Sequence, residues 1–322
     1  MSETITEKTT FEADVRRGLT THPKSISSRY FYDAAGDRLF QRIMAAPEYY
    51  PTDCELEIFQ THAGAFLELF GGTARPFDLV EFGAGDGTKT KVLLEHFLRA
   101  GARFRYQPID ISANAVRGLT DDLRRQFPDL RVEGICDEYF AGLRTIGART
   151  DARKVMLFLG SNIGNFSAGE AHDFLTQMRR SAAPGDLLMI GMDLKKDPAV
   201  VLAAYNDAAG VTRDFNLNLL ARINRELGGH FDLDAFMHWP TYNPATGEAR
   251  SYLVSKRAQR VRIDKLALEV DFDAWEPIYT EKSQKYAPRE AEAMAEAAGF
   301  RVRRHFFDRR RYFVDSVWEV VT

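Results

Sequence analysis

The segment FDLVEFGAGDG at positions 77–87 decides the fold class of this 322-residue chain. Its first six residues form a short apolar run, which predicts a buried strand, and a glycine-rich loop follows directly. Glycines at a strand-to-helix turn let the backbone approach a nucleoside closely, and the amides of the next helix favour polar or anionic groups. The segment therefore predicts the first strand of a doubly wound α/β sheet, followed by a ligand-binding loop.

Strand-like and helix-like stretches alternate from this segment onward. We predict strands at 77–82, 103–109, 130–136, 154–159 and 186–192, with helices at 88–100, 114–127 and 169–183. This rhythm indicates a parallel sheet with helices on both faces. The chain then finishes with a helix at 289–298 and a β-hairpin formed by 300–307 and 312–320. A parallel sheet that closes on an antiparallel hairpin is typical of a Rossmann-like class I methyltransferase rather than of a dinucleotide-dependent dehydrogenase.

The alternation stops after Asp193, which indicates a second domain. Residues 199–227 are predicted to be mostly helical, 250–263 and 266–272 to be antiparallel strands, and 275–284 to be a loop. The simplest division gives a methyltransferase domain at 61–195 and 285–322. A smaller α+β substrate-binding domain then comprises 1–60 and 196–284.

Composition limits the kinds of partner and compartment. The formal net charge of −3 gives no general attraction to nucleic acid or to an anionic membrane. No apolar run approaches the ~20 residues that a membrane helix needs, and the polar N-terminus does not resemble a secretion signal. Cys54 and Cys136 stand alone and the histidines are scattered, so we expect no metal site. We expect a soluble cytoplasmic protein with a small-molecule substrate and no obligate protein partner.

The glycine loop favours S-adenosylmethionine over a nicotinamide dinucleotide. Its spacing is G-x-G-x-G, whereas a dinucleotide requires G-x-G-x-x-G around its pyrophosphate. Asp110 closes the second predicted strand, where a carboxylate can accept both ribose hydroxyls of an adenosine. Lys89 can pair with the carboxylate of the methionine end, and Glu138 and Tyr139 can reach the adenine. Gly83 permits the close approach of the backbone.

Polar side chains outside the glycine loop suggest a site for the second reactant. Asn165 follows the fourth predicted strand, and ligands of open α/β sheets bind at the carboxyl ends of strands. Glu281 and Ser283 lie two residues apart, so in an extended stretch they point the same way and can hold a ring N–H. Tyr32, Tyr49 and Tyr205 can each bury a ring while the hydroxyl binds a carboxylate.

At these residues the chain resembles the histidine Nα-methyltransferases of ergothioneine biosynthesis, from about residue 11 to its end. The resemblance is carried by YFYDAAG at 30–36, PEYYPT at 47–52, EFGAG at 81–85, FLGSNIGN at 158–165, AYNDAAGVT at 204–212, FDLDAF at 231–236, LEVDF at 268–272 and TEKS at 280–283. It implies S-adenosylmethionine-dependent trimethylation of the α-amine of L-histidine to hercynine.

Carried over by position, the resemblance assigns two sets of contacts. The cofactor contacts are Gly83, Lys89, Asp110, Glu138 and Tyr139, and the substrate contacts are Tyr32, Tyr49, Asn165, Tyr205, Glu281 and Ser283. The family places the glutamate and serine at the imidazole and the asparagine and tyrosines at the amine and carboxylate. We expect Asn165 and Tyr205 to orient the amine for methyl transfer, without a strong general base.

The sequence departs from the family at three places and leaves other functions open. Glu138 is one methylene longer than the usual aspartate, the glycine loop contains Asp86-Gly87, and Ser251 replaces a methionine that relatives place beside the ring. The alternative substrate is therefore another aromatic amino acid, such as tryptophan or a histidine derivative. A different class of function is a non-enzymatic sensor of S-adenosylmethionine or of a nucleotide, in which Asn165, Glu281 and Ser283 would have no role.

Overall fold

A computed structural model describes residues 10–147 and 152–321 of the chain. The chain divides into two compact units, each formed by two separate stretches. The first unit comprises Met1–Tyr50 and Lys196–Ser283, and the second comprises Pro51–Lys195 and Gln284–Thr322.

The helices and the strands are numbered in chain order through both units. The helices are α1 (Phe11–Thr20), α2 (Ala34–Met44), α3 (Tyr50–Phe70), α4 (Thr90–Arg99), α5 (Ala113–Gln126), α6 (Tyr139–Gly147), α7 (Ala168–Arg180), α8 (Pro198–Ala204), α9 (Val211–Leu227) and α10 (Pro288–Ala297). The strands are β1 (Lys24–Ser25), β2 (Phe77–Phe82), β3 (Phe104–Asp110), β4 (Arg131–Val132), β5 (Ile135–Cys136), β6 (Arg153–Phe158), β7 (Leu187–Asp193), β8 (Phe236–Asn243), β9 (Glu248–Ser255), β10 (Gln259–Ile263), β11 (Leu268–Phe272), β12 (Pro277–Gln284), β13 (Phe300–Phe307) and β14 (Phe313–Val320).

The second unit is built on a single mixed sheet. Its strand order is β13-β14-β7-β6-β2-β3-β4, and β5 also pairs with β3. The strands from β7 to β4 run parallel, whereas β14 lies antiparallel between β7 and β13. All six residues of β2 and all seven of β7 are buried, as expected for central strands covered on both faces. This confirms the Rossmann-like class I methyltransferase sheet with its terminal antiparallel hairpin.

The first unit has a smaller α+β architecture. Its four-stranded sheet has the order β1-β12-β9-β8, and β10 and β11 form a separate antiparallel hairpin. The long helix α9 buries one face in a core that includes Phe31 and Phe215, whose ring centroids are 4.7 Å apart. Aromatic pairs at this distance add stability beyond the area that they bury.

The unit boundary and three predicted elements differ from the sequence interpretation. The predicted strand at 250–263 is two strands, β9 and β10, which belong to different sheets. Residues 51–60 belong to the second unit, because α3 runs unbroken from Tyr50 to Phe70. The predicted strand at 130–136 is split into β4 and β5 at Gly134, where an added Cβ would lie 2.4 Å from Val116 of α5. The predicted loop at 275–284 is mostly strand β12.

Strand β12 escaped prediction because polar side chains occupy its buried positions. Thr280 is 2% exposed, and its hydroxyl lies 3.0 Å from both the Asn216 side chain and the Ser251 carbonyl. Ser283 is buried as well. A hydropathy pattern does not recognise buried strand positions that are occupied by polar side chains such as the hydrogen-bonded Thr280. Within residues 10–147 and 152–321, no helix has the length and apolar character needed to cross a bilayer.

Candidate active site

The glycine loop after β2 brings Gly83 against Tyr139. Gly83 has a φ of +65°, a left-handed conformation that favours glycine, and its amide donates to the Ile109 carbonyl at 3.1 Å. A Cβ at this position would lie 2.9 Å from the Tyr139 hydroxyl. The loop therefore forms a cradle that only glycine fits, with a tyrosine hydroxyl beside it.

Asp110 ends β3 next to this cradle. One of its carboxylate oxygens accepts the Ser112 amide at 2.8 Å, and its backbone carbonyl accepts the Asp137 amide at 3.1 Å. Burial and the nearby Asp110 charge raise the pKa of Tyr139. Gly83, Asp110 and Tyr139 are thus brought together, and the carboxylate is fixed at the carboxyl end of the sheet.

Two further side chains lie at this edge. Glu138 is exposed immediately before α6, and its carbonyl accepts the Gly142 amide in the first turn of that helix. Ile111, which the sequence interpretation missed, follows Asp110 and leaves 73% of its surface exposed. The sequence signal for Ile111 is an apolar residue directly after the acid that ends a strand. The side chain at such a position is exposed unless a ligand covers it.

Lys89 differs from a solvated helix lysine. It precedes α4, and its ammonium forms an ion pair with the carboxylate of Glu55, a residue of α3 that is 0% exposed. Burial disfavours the charged ammonium, but the charge of the Glu55 carboxylate and its hydrogen bond outweigh burial and raise the pKa of Lys89. The sequence interpretation identified Lys89 and missed Glu55.

The loop after β6 carries Asn165 on a rigid turn. Asn165 is exposed at the end of a 3₁₀ turn that spans Asn162–Asn165. Ser161 precedes this turn with a φ of +58°, and its hydroxyl accepts the Asp193 amide at 2.9 Å. The Tyr286 hydroxyl donates to the Ile163 carbonyl at 3.3 Å. A non-glycine residue in a left-handed conformation persists only where its surroundings fix it, as they do here.

In the first unit, helix α2 determines the position of Tyr32. Asp33 follows Tyr32 and caps α2, accepting the amides of Ala35 and Gly36 at 3.1 and 2.7 Å. Arg225 of α9 pairs with the same carboxylate. Although burial opposes ionisation, these bonds lower the pKa of Asp33. The motif at 30–36 therefore encodes a helix cap that fixes the preceding tyrosine.

Tyr32 lies within electrostatic reach of Glu281 and Tyr205. Its side chain keeps 47% of its surface exposed, yet desolvation of the hydroxyl raises its pKa, and Glu281 and Tyr205 raise it further. Its ring meets Phe40 edge-on at 5.6 Å, and Phe40 meets Tyr49 in the same manner at 6.4 Å. The structure thus groups Tyr32, Tyr205 and Glu281 in one unit and links Tyr49 to them through an aromatic cluster.

The segment after α8 holds Tyr205 in place. Tyr205 is the residue directly after α8. Asp207 accepts the amides of Val211 and Thr212 at 2.8 and 2.7 Å, so its carboxylate caps α9. Glu48, which precedes Tyr49, accepts the Ala208 amide at 3.1 Å. The motifs at 47–52 and 204–212 are therefore joined by a hydrogen bond.

Glu281 and Ser283 share one side of β12, as their spacing predicts for an extended segment. Ser251, which is buried on β9, lies with its hydroxyl 3.4 Å from a carboxylate oxygen of Glu281. Tyr32, Tyr49, Tyr205, Glu281 and Ser283 all belong to the first unit, whereas Asn165 belongs to the second. Across the described ranges, no group of three histidine, cysteine, aspartate or glutamate residues has a metal-binding arrangement.

A parallel sheet closed by an antiparallel hairpin, with a glycine cradle after β2 and an acid at the end of β3, defines a class I S-adenosylmethionine-dependent methyltransferase. Residues 11–320 match the family described as histidine-specific methyltransferase, SAM-dependent. The chain belongs to this family, and it is an enzyme that uses S-adenosylmethionine as its methyl donor.

Curated relatives agree with the family assignment. The histidine N-alpha-methyltransferase of Mycolicibacterium smegmatis is 38% identical over 291 residues, which cover 89% of this chain and 88% of that protein. The histidine N-alpha-methyltransferase of Mycobacterium tuberculosis is 38% identical over 286 residues, with 89% and 87% covered. The ergothioneine biosynthesis protein 1 of Schizosaccharomyces pombe is 28% identical over 283 residues, which cover 86% of this chain and 36% of that protein.

Proposed function

We propose that this enzyme transfers three methyl groups from S-adenosylmethionine to the α-amine of L-histidine. The products are hercynine and three molecules of S-adenosylhomocysteine, as in an ergothioneine-type pathway. The observation that carries the proposal is the grouping of Glu281 with Tyr32 and Tyr205 in the first unit, on motifs that the resemblance assigns to the substrate. The names of the curated relatives at 38% identity support the same reaction.

The residues at the carboxyl edge of the sheet fit the methyl donor. The Gly83 cradle leaves room for the nucleoside, and Asp110 offers its carboxylate to the two ribose hydroxyls. Glu138 can accept the adenine amine, while Tyr139 and the exposed Ile111 offer apolar surface to the adenine ring. Lys89 supplies an ammonium for the carboxylate of the methionine end.

Glu281 and Ser283 select the imidazole of the substrate. A carboxylate accepts an imidazole N–H in a charge-assisted bond worth roughly 1.5–3 kcal/mol. A site built to receive that hydrogen rejects rings that lack it, because the buried acceptor would be left unpaired. The Ser251 hydroxyl lies 3.4 Å from the Glu281 carboxylate, on the neighbouring strand. Tyr49 completes the amino-acid site from the aromatic cluster.

Asn165, Tyr205 and Tyr32 orient the amine. When bound, S-adenosylmethionine supplies a sulfonium methyl carbon, whose bond to sulfur breaks as the neutral amine nitrogen attacks it in line. Tyr32 keeps its proton because its pKa is raised, so its hydroxyl is a hydrogen-bonding group and not the base. The amine loses its proton to water before each transfer, and positioning supplies most of the rate.

Two other functions remain as outcomes of the test. Ser251 stands where relatives carry methionine, which favours trials with other aromatic amino acids, tryptophan first. A non-enzymatic sensor of S-adenosylmethionine would bind the cofactor and leave every amino acid unchanged.

Mass spectrometry of an incubation with histidine and S-adenosylmethionine tests the proposal. We expect ions of histidine with one, two and three added methyl groups, ending at the trimethylated product. Tryptophan and Nα-methylhistidine in parallel reactions measure substrate preference. Methylation of tryptophan in preference to histidine would assign the alternative substrate, and no methylated amino acid at all would contradict the proposal.

A further inference from the structure

Glu55 is a buried acid that the proposed reaction does not yet use. It lies on α3 with 0% of its surface exposed, 28 positions before Gly83, the first residue of the glycine loop. Its two carboxylate oxygens accept the Gly160 amide at 2.9 and 3.2 Å, and one of them pairs with the Lys89 ammonium. Glu55 therefore joins the lysine beside the glycine loop to the first residue of the GSNIGN turn.

The fold makes room for this carboxylate. Gly191 lies in the middle of β7, and a Cβ there would come within 2.4 Å of a carboxylate oxygen of Glu55 and 3.2 Å of the Gly160 amide. Asp315 of β14 is the residue opposite Gly191 in the sheet. A side chain at 191 would displace the carboxylate, so the glycine is part of the site that holds Glu55.

Three buried acids compete for Lys89. Glu81 is already engaged, because its carboxylate accepts the Thr90 hydroxyl at 2.9 Å and the Tyr106 hydroxyl at 2.6 Å. Asp315 is fully buried, and burial together with the neighbouring Glu55 charge raises its pKa, while the ion pair of Lys89 is made with Glu55. Glu55 is consequently the acid that fixes the direction of the ammonium.

We propose that Glu55 is a positioning residue, which holds the Lys89 ammonium toward the methionine carboxylate of the methyl donor and anchors the turn that carries Asn165. The inference rests on the proposed role of Lys89. A lysine side chain is long and loses much rotational freedom when it binds an anion. One of its three N–H groups is committed to Glu55, which leaves the others for a second carboxylate.

Two nucleoside ligands separate this role from a merely structural one. S-adenosylhomocysteine carries the amino-acid carboxylate, whereas 5′-methylthioadenosine has the same nucleoside and no amino-acid end. Calorimetry on the full chain with Glu55→Gln should give about tenfold weaker binding of S-adenosylhomocysteine. The reason is that Lys89, no longer held by Glu55, loses its charge-assisted bond to the ligand carboxylate. Binding of 5′-methylthioadenosine should change by less than about twofold, because no carboxylate is involved.

Asp186 provides a matched control in the same unit. It is a buried acid that pairs with Lys154 at 2.8 Å and accepts the amides of Lys154 and Ala183, each at 2.8 Å. It lies at the amino ends of β6 and β7, whereas Glu55 binds at the carboxyl ends. Asp186→Asn also breaks a buried ion pair, and we expect it to weaken both ligands equally or neither.

Lys89→Met distinguishes failure of this inference from failure of the proposed cofactor site. We expect Lys89→Met to reproduce the selective loss, and Glu55→Gln added to it to cause no further selective loss. If Lys89→Met weakens only S-adenosylhomocysteine and Glu55→Gln does not, the role of Glu55 is overturned alone. If Lys89→Met affects both ligands alike, the proposed role of Lys89 is wrong, and the proposed role of Glu55 is then wrong as well.

Glu55→Asp keeps the charge and shortens its reach. It replaces Glu55→Gln should that variant not fold, and the same selective loss is expected.

Discussion

The hydroxyl of Ser251 lies 3.4 Å from a carboxylate oxygen of Glu281, across the neighbouring strands β9 and β12. This distance exceeds the usual range for O–H···O bonds, so the contact is weak. Thr280 immediately precedes Glu281, and its hydroxyl is 3.0 Å from the Ser251 carbonyl. A hydrogen bond to β9 therefore holds the residue next to Glu281, whereas the contact between Ser251 and the Glu281 carboxylate is long.

Replacing Glu281 by alanine should raise the KM for histidine by about 10- to 100-fold, the loss of one charge-assisted hydrogen bond. Binding of S-adenosylhomocysteine should be unchanged, because the proposed cofactor contacts lie on other side chains. Steady-state kinetics with histidine and calorimetry with S-adenosylhomocysteine measure the two effects. Turnover of histidine with an unaltered KM would show that Glu281 does not bind the imidazole ring of the substrate.

Ser251→Ala is the control for that substitution. It removes the long contact and leaves the carboxylate in place, so the KM for histidine should rise by less than about threefold. A rise as large as that of Glu281→Ala would mean that the serine, rather than the glutamate, recognises the substrate.

Tyr32→Phe tests whether the hydroxyl acts as a hydrogen-bonding group or as a base. Because desolvation and Glu281 raise the pKa of Tyr32, its hydroxyl remains protonated throughout the range in which the enzyme is assayed. The substitution should lower kcat/KM by about 10-fold through the lost bond, without removing any inflection from the pH profile. A pH–rate profile of both enzymes from pH 6 to pH 10 checks this, and loss of an alkaline inflection in Tyr32→Phe would contradict it.

The sequence predicted the sheet of the second unit well, because its signals are local. The apolar strands, the glycine loop and the closing hairpin each occupy one short segment. The first unit was harder to predict, since β12 buries Thr280 and Ser283, and Thr280 makes hydrogen bonds to residues distant in sequence. Such partners lie far away in sequence, as the bond between Thr280 and Asn216 illustrates.

The same limit applies to the candidate site. Asp110 and Asn165 each follow a predicted strand and Lys89 lies in the first turn of a predicted helix, so their type and place suggested a role. Glu55 lies in the second turn of α3, and its sequence neighbours resemble those of any surface acid. Only the fold shows that it reaches the end of β6 through the space left by Gly191.

Gly164→Ala should disturb the turn that carries Asn165. An added Cβ would lie 2.7 Å from the Gln284 carbonyl oxygen and 3.1 Å from the Gln284 amide nitrogen, and neither backbone atom can rotate away. We expect kcat to fall by at least about 10-fold, because a displaced positioning group loses catalytic geometry. Gly169→Ala, at a position with nothing within 4 Å, is the control and should leave kcat unchanged. Equal kcat values for Gly164→Ala and wild type would show that the turn accommodates the added Cβ without displacing Asn165.

Glu81 should make the stability of the second unit depend on pH. Burial raises the pKa of its carboxyl group to about 7 from an ordinary value of 4.5, although the Tyr106 and Thr90 hydroxyls and Lys89 favour the charged form. Below pH 4.5 both folded and unfolded chains hold the proton. Between about pH 4.5 and 7 the unfolded chain ionises while the folded chain stays neutral, so rising pH lowers the free energy of unfolding by up to about 3 kcal/mol.

Glu81→Gln should remove this decline, because an amide of the same shape does not titrate. Urea unfolding at pH 4.5, 5.5, 6.5 and 7.5, followed by the fluorescence of the buried Trp318 with Trp239 and Trp275 changed to phenylalanine, measures the free energy of unfolding. As the pH rises, the free energy of unfolding of Glu81→Gln should increase relative to that of the wild type. Glu95→Gln, the same substitution at a half-exposed position of α4, should keep the wild-type slope. If the curves of wild type and Glu81→Gln run parallel across this range, the Glu81 carboxyl ionises in the folded protein as it does in the unfolded chain.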